Sequence, residues 1–386
     1  MRKFVMNAAV VSLALAVTGC GQPKNPAPAR EGSRIDYSMS FFRNVVSASG
    51  PEDNVFVSPY SAGVALSMLA EGAQKQTAEE LDMALNGVRF SGKEVVADSV
   101  VDVRAANSAW IRDGFNVRKD YADKLSEDYR ASVSSLDFSD PASVDVINSW
   151  CSDNTEGKIT GIIDNISPDM VMFLMNALYF KAPWEEKFDG NVTADAVFHG
   201  FSGDSEVPFM FRKGKMEYAG YGGHQMVRLP YAGGRYSMLV LLPAEDVSPD
   251  AVLPYLDEKS YREAVGALSE TEVILRLPKF RIETSTRLNR ALSAMGAKRV
   301  FTGAAELGGI SDADIAVDEV KQKCYVEVNE EGSEAAAVTS IGIRLTSANV
   351  GPKPVSMTVD RPFLFMIADM ENDNILFMGR IMNLEK

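Results

Sequence analysis

Residues 330–347 read EEGSEAAAVTSIGIRLTS, a segment without proline that is built largely from small and β-branched residues. The odd-numbered positions from 333 to 345 are all uncharged, whereas Glu334 and Arg344 fall on the other face of a period-two pattern. This alternation predicts a strand with one buried face. The alanine-rich start is nevertheless poor in strand propensity, and residues 347–354 read as an exposed loop. We therefore expect this segment to adopt two conformations, an exposed loop and a strand.

Outside this segment, helix and strand signals alternate along residues 35–386 without a linker or an internal repeat, which predicts one large α+β unit. The expected strands are 236–242, 273–277, 324–328, 363–368 and 375–381. The expected helices are 39–46, 61–69, one with a capping box of Thr77 and Glu80, one from about 140 to 157, and 284–295 closed by Gly296.

The composition excludes several function classes. Among 386 residues, 39 Lys and Arg face 53 Asp and Glu, and the net charge of -14 argues against a nucleic-acid partner. Three cysteines and two histidines are too few for a zinc site built on these residues, and they leave few candidates for histidine catalysis. We expect neither a metal nor another cofactor.

The N-terminus has the pattern of an export signal. Three residues including Arg2 and Lys3 precede an apolar run, and residues 17–20 resemble a bacterial lipobox ending in Cys20. We expect 1–19 to be a lipoprotein signal peptide, Cys20 to carry the lipid anchor with acyl chains such as palmitate, and 20–34 to be a flexible tether. The expected location is the bacterial cell envelope, at the outer membrane, on its periplasmic or outer surface. The alternative is an ordinary signal peptide with a chance cysteine.

Two cysteines remain in the expected folded unit. Cys151 and Cys324 are predicted to be buried free thiols that behave as small hydrophobic residues, with a disulfide between them as the alternative.

Seven short motifs, in order and spacing, resemble those of the serpin family. They are NVFVSPYS at 54–61, TEGKI at 155–159 with Asn148, NALYFKAPW at 176–184, LPKF at 277–280, VNEEGSEAAA at 328–337, DRPF at 360–363 and LFMGR at 376–380. The resemblance covers essentially all of 35–386. It implies an α+β serpin fold with three β-sheets, eight or nine helices, and an exposed reactive loop at about 330–354.

The resemblance implies a suicide inhibitor of serine endopeptidases, with cysteine endopeptidases also open, rather than an enzyme. A protease cleaves the loop, which then inserts into the main sheet and drags the acylated protease with it. Insertion forms a dozen or more backbone hydrogen bonds at about 0.5 to 1.5 kcal/mol each. Together they supply a free energy on the order of ten kcal/mol. Pulling the protease distorts the groups that it needs for deacylation.

The resemblance also assigns roles within the loop. The implied hinge comprises Glu330, Gly332, Ser333, Glu334, Ala335, Ala336 and Ala337. The expected scissile bond is Thr346–Ser347, which suits an elastase-like protease. Leu345 is the alternative for a chymotrypsin-, subtilisin- or papain-like protease, and Arg344 for a trypsin-like one.

Two polar clusters are implied beside the loop. The breach, at the top of the main sheet, comprises Trp184, Lys279 and Glu330, of which the ion pair would contribute only about 0 to 1 kcal/mol if exposed. The shutter, beneath the sheet centre, comprises Ser58, Ser61, Asn176 and Gln322. Gln322 stands where the family often has a histidine, so it can form hydrogen bonds but cannot titrate near neutral pH.

The segment 85–106 is shorter than the corresponding segment of animal serpins. We therefore expect the helix that often binds sulfated polysaccharide to be shortened or missing there. We expect no such cofactor and a monomer. A hydrolase and a two-lobed solute-binding protein are weak alternatives, because the chain has no Gly-x-Ser-x-Gly turn and no repeated strand-helix units. The serious alternative is a serpin that acts as a protease substrate or a binding protein. Gly342 and the long segment after Ser347 count in its favour.

Overall fold

The computed structural model describes residues 32–385, except 96, 98, 99, 168 and 334–352. The expected segment 1–19, most of 20–34 and Cys20 therefore lie outside the described residues. Glu31–Lys386 forms one compact unit. Within the described residues, no helix has the length and apolar character that a membrane span requires.

Eight α-helices occur in the described part of the chain, which agrees with the expected eight or nine. They are α1 (Arg34–Ala48), α2 (Pro59–Gly72), α3 (Lys75–Ala84), α4 (Lys119–Tyr129), α5 (Ala142–Asn154), α6 (Pro249–Val252), α7 (Glu258–Gly266) and α8 (Asn289–Ala294). Ser58 caps helix α2: its hydroxyl accepts the Ser61 N–H at 3.0 Å, and Pro59 is the first helical residue. Most of α2 is buried, so it lies inside the molecule.

Fifteen strands accompany these helices and confirm the α+β class. They are β1 (Val55–Val57), β2 (Asp102–Arg112), β3 (Ala131–Leu136), β4 (Met172–Pro183), β5 (Ala194–Gly200), β6 (Gly203–Tyr221), β7 (His224–Pro230), β8 (Tyr236–Leu242), β9 (Ser269–Pro278), β10 (Phe280–Arg287), β11 (Lys321–Val328), β12 (Gly332–Ser333), β13 (Val355–Thr358), β14 (Phe363–Asp369) and β15 (Asn374–Ile381). All five predicted strands lie within these elements.

Nine of the strands form one hydrogen-bonded network in the order β1-β15-β14-β8-β7-β6-β9-β13, with β5 beside β6. Strand β6 is 19 residues long; it pairs with β5 from Gly203 to Phe209, with β9 from Phe209 to Tyr218, and with β7 only from Glu217 to Tyr221. Strand β6 thus connects β5, β9 and β13 to the rest of this network, so strands expected in separate sheets are hydrogen-bonded into one. Strands β14 and β15 are buried throughout and form the middle of the core.

The other six strands form a sheet in the order β10-β11-β12-β4-β2-β3. Its even-numbered residues on β11 and on the upper part of β4 face the main core. Its other face packs Trp110 and Met175 against Ile147 and Cys151 of α5. Cys324 belongs to the main core and Cys151 to this second cluster, and both are buried and free, as predicted.

Two helix predictions need correction. Residues 284–287 end β10, because they pair with β11 in the register Thr284↔Cys324, and α8 begins only at Asn289. Sheet pairing therefore overrides the local helix signal, although Gly296 has the expected positive φ of +121°. The capping box is also wrong: α3 begins at Lys75, and Glu80 Oε2 accepts backbone N–H groups of the segment after α8 instead.

Between α3 and β2 the described residues, 85–95, 97, 100 and 101, contain no helix. This agrees with the shortening expected at 85–106.

Candidate functional site at the top of the six-stranded sheet

Strands β11 and β4 both stop at the same end of the six-stranded sheet, and we call this end its top. After Val328 the chain reverses in a tight turn, in which the Asn329 N–H donates to the Gly332 carbonyl at 3.0 Å. The chain then re-enters the sheet as β12, where Ser333 pairs with Val328 on one side and with Ala182 on the other. The start of the predicted loop is thus already a short strand between β11 and β4.

Gly332 is the pivot of this turn. Its φ is +155°, and a Cβ at this position would lie 2.1 Å from the Ala182 carbonyl oxygen. Any side chain would therefore push β12 away from β4, which gives a physical reason for glycine here.

Ser333 points into the core, as its odd-numbered position predicts. It is 0 % exposed, and its Oγ lies 2.7 Å from Tyr231 Oη, with either oxygen able to donate. A charged residue here would be buried and would cost several kcal/mol.

The structure brings Trp184, Lys279 and Glu330 of the predicted breach together. Trp184 is 2 % exposed; its Nε1–H donates to the Asn329 carbonyl at 2.9 Å, and its backbone N–H donates to the Glu331 carbonyl at 2.8 Å. The tryptophan thus holds the turn from below through two hydrogen bonds.

Glu330 carries the charge of this cluster. One carboxylate oxygen lies 2.9 Å from Lys279 Nζ, and the other accepts the Thr193 hydroxyl at 2.8 Å. The side chains of Glu330 and Lys279 are 16 % and 35 % exposed, so the ion pair is partly buried. Burial acts to raise the pKa of Glu330, but the Lys279 ammonium and the hydrogen bonds from its own backbone and Thr193 outweigh burial and hold that pKa below its usual range.

The predicted shutter residues divide into two groups. Gln322 accepts the Ser58 N–H at 2.9 Å and donates to the Ser58 carbonyl at 3.0 Å, while Ser58 and Ser61 form the α2 cap. Gln322 therefore ties β11 to the start of α2 through its neutral amide.

Asn176 lies on β4 apart from that group. Its Nδ2 donates to Asn107 Oδ1 at 2.6 Å, and Asn107 Nδ2 donates to the Tyr129 carbonyl at 2.7 Å. The Oδ1 of Asn176 is buried without a partner among the described residues.

At the opposite end of the sheet, where β4 and β11 begin, lies a cavity of about 750 Å³. Its lining includes Leu66 and Leu69 of α2, Phe173 and Met175 of β4, and Lys321 of β11. In the described part of the chain, β11 and β4 are joined only through β12.

Four contact residues at these sites were not predicted. They are Asn107, Lys187, Thr193 and Tyr231, and Lys187 Nζ lies 2.5 Å from a Glu331 carboxylate oxygen. Each meets its partner across a long sequence separation, so no local pattern marks it. The remaining loop residues, Glu334, Ala335, Ala336, Ala337, Arg344, Leu345, Thr346 and Ser347, lie outside the described residues.

Known proteins share this architecture. A family model for serpins (serine protease inhibitors) matches residues 33–384. An uncharacterised serpin-like protein of Thermococcus kodakarensis is 32% identical over 99% of both chains, and Iripin-2 of Ixodes ricinus is 34% identical over 86% of this chain and 88% of its own.

Solved structures agree with these sequence matches. Tengpin, a thermophilic serpin in its native state, superimposes with a TM-score of 0.84 at 27% identity and covers 94% of this chain and 96% of its own. A thyroxine-binding globulin in complex with thyroxine has the same fold, with a TM-score of 0.80 at 23% identity and coverage of 92% and 98%. The chain therefore belongs to the serpins, a family of serine protease inhibitors.

Proposed function

We propose that this chain is a suicide inhibitor of serine endopeptidases, which inserts its cleaved loop between β11 and β4 and so traps the acyl-enzyme. One observation carries the proposal: Gly332 and Ser333 already form a strand paired with both neighbours. Insertion then needs only to extend a strand whose register exists.

Continuing this register sets each odd-numbered loop residue between two even-numbered sheet residues. Ala335 would lie between Val326 and Phe180, Ala337 between Cys324 and Leu178, and Thr339 between Gln322 and Asn176. Apart from Asn176, these partners are buried, and they face the main core, so small uncharged residues fit there. Thr339 would also bring a hydroxyl to the unpartnered Oδ1 of Asn176.

The driving force is the formation of a central strand. A dozen or more new backbone hydrogen bonds, at about 0.5 to 1.5 kcal/mol each, provide on the order of ten kcal/mol. The segment 330–347 contains no proline that would remove a donor. This energy is available to pull the protease and to disturb the oxyanion hole and triad that deacylation needs.

We propose Thr346–Ser347 as the cleaved bond, with Leu345 and Arg344 as alternative sites of cleavage. The target would accordingly be elastase-like, or else chymotrypsin-, subtilisin- or trypsin-like, and a papain-like cysteine protease remains an alternative. We also propose a monomer that is held at the bacterial cell envelope by lipid on Cys20, works without a sulfated polysaccharide, and carries residues 20–34 as a tether.

The test is to incubate the purified full chain in detergent with elastase-, subtilisin-, trypsin- and papain-type proteases. We expect a covalent complex that survives a denaturing gel, and a released C-terminal peptide that begins at Ser347. A peptide that begins at Thr346 or Leu345 would move the cleaved bond without changing the mechanism.

The matched variants are Ser333→Arg and Ala336→Arg. The first places a charge at the buried position beside Tyr231, so we expect cleavage without a complex. The second lies on the other face of the period-two pattern, and we expect the complex to persist. Cleavage of the unmodified chain without any complex would favour a protease substrate or a binding protein.

A further inference from the structure

Tyr231 follows β7 and reaches the top of the six-stranded sheet from the nine-stranded network. Its backbone forms a β-bridge with Trp184, and the next residue, Ala232, donates its N–H to the Pro183 carbonyl at 2.9 Å. Backbone contacts with Pro183 and Trp184, at the end of β4, therefore hold Tyr231 in place.

The ring of Tyr231 is equally constrained. It stacks on Trp184 with ring centroids 4.6 Å apart at 10°, and Phe180 meets it edge-on at 5.0 Å. Tyr231 is 0 % exposed. Packing thus holds the hydroxyl in position, so the Tyr231 side chain loses little conformational freedom when it forms a hydrogen bond.

The hydroxyl of Tyr231 meets Ser333 Oγ at 2.7 Å, and both side chains are fully buried. The bonds from Trp184, Lys279 and Thr193 hold the turn residues Asn329 and Glu330. In the described part of the chain, the Tyr231 hydroxyl is the side-chain group that bonds to β12 itself. This bond adds a side-chain contact to the backbone pairs that β12 makes with β11 and β4.

We propose that Tyr231 is a positioning residue for loop insertion: its hydroxyl holds Ser333 in the sheet before cleavage and so provides the first residue of the inserting strand. The inference rests on the proposed function, because the inserting strand is the cleaved loop. Deacylation competes with insertion, and a strand that has already begun extends faster than one that must first pair. Without the hydroxyl, more protease would escape by completing hydrolysis.

Three variants test the inference: Tyr231→Phe, Ser333→Ala and the double variant. Hydrogen exchange at residues 329–333 is measured by mass spectrometry on the uncleaved chain, and the moles of inhibitor consumed per mole of protease are measured separately. We expect Tyr231→Phe to speed hinge exchange about tenfold, as loss of one buried hydrogen bond predicts, and to raise consumption several-fold. Because one shared bond is lost, the double variant should be no worse than either single variant.

Tyr60→Phe is the matched control. Tyr60 is also 0 % exposed, and its hydroxyl donates to the Ser91 carbonyl at 2.6 Å, away from the hinge. We expect it to lower the denaturation midpoint without changing hinge exchange or inhibitor consumption.

The exchange measurement needs no inhibition, so the two proposals fail separately. Unchanged hinge exchange in both Tyr231→Phe and Ser333→Ala would overturn the inference, even if the chain inhibits normally. Faster exchange with unchanged consumption would overturn the positioning role. Should the unmodified chain form no complex, the proposed function fails, and hinge exchange alone then decides whether Tyr231 holds Ser333.

Discussion

The top and the middle of the six-stranded sheet share strands β4 and β11, but their polar groups are paired to different degrees. At the top, Trp184 Nε1 and Ser333 Oγ both have hydrogen-bond partners, the Asn329 carbonyl and the Tyr231 hydroxyl. In the middle, Asn176 Oδ1 of β4 is buried without a partner among the described residues. The same holds toward the opposite end for Ser108 Oγ and Trp110 Nε1 of β2, which pair with Met175 and Phe173.

This difference assigns separate tasks to two parts of one sheet. Each unpaired buried polar group costs about 1 to 3 kcal/mol, so the middle is less stable than its apolar packing suggests. At the top, Trp184 Nε1 and Ser333 Oγ already have their hydrogen-bond partners, although β12 is only two residues long. Under the proposed mechanism, the top holds the start of the strand, and Asn176 in the middle gains a partner only when the strand extends.

The largest expected effect is that of Gly332→Ala. Because the new Cβ would meet the Ala182 carbonyl oxygen, we expect β12 to be displaced and the free energy of unfolding to fall by about 3 kcal/mol. Urea unfolding measures this. Gly303→Ala, where a Cβ meets nothing within 4 Å, should change stability little. Equal stability of the two variants would show that the top is not closely packed.

Asn107→Ala tests the middle of the sheet. It would leave the Tyr129 carbonyl and Asn176 Nδ2 without the bonds they now have, so we expect a loss of about 2 kcal/mol in urea unfolding. Asn191→Ala, which removes an exposed hydrogen bond to Asp189, is the control and should cost far less. A loss no larger than that of the control would mean that the middle does not depend on this pair.

Trp184→Phe and Trp110→Phe compare the top of the sheet with its opposite end. The first breaks the bond to the Asn329 carbonyl and should cost about 1 to 2 kcal/mol. The second removes a buried Nε1–H that has no partner among the described residues, which offsets the lost ring area, so we expect a change near zero. Thermal midpoints of both variants, measured side by side, check this, and the reverse order would contradict the comparison.

The smallest effect concerns pH. The pKa of Glu330 is held below its usual range, so its carboxylate stabilises the fold at neutral pH. This contribution is lost as the pH falls from the usual pKa of a glutamate through the lower pKa that Glu330 has in the folded state. Glu330→Gln should therefore cost up to about 1 kcal/mol at pH 7 and progressively less below pH 4. A cost that stays constant from pH 7 to pH 3 would exclude this ionic contribution. Urea unfolding across that range provides the measurement.

Several elements could be read from local sequence alone. The predicted strand 236–242 matches β8 residue for residue, because a continuous apolar run is needed wherever both faces of a strand are buried. The period-two pattern correctly placed Ser333 on the inward face. In contrast, the helix expected at 284–295 failed because pairing with β11 outweighed a weak local preference.

Alternation and short motifs are properties of neighbouring residues, and they were enough to identify the family and to place Ser333 on the inward face. The partners of the hinge were decided only by the tertiary structure. Tyr231 lies 102 positions from Ser333, and Thr193 lies 137 positions from Glu330. Hydrogen bonds between side chains from different sheets depend on how those sheets pack, and packing follows from the whole core rather than from any local repeat.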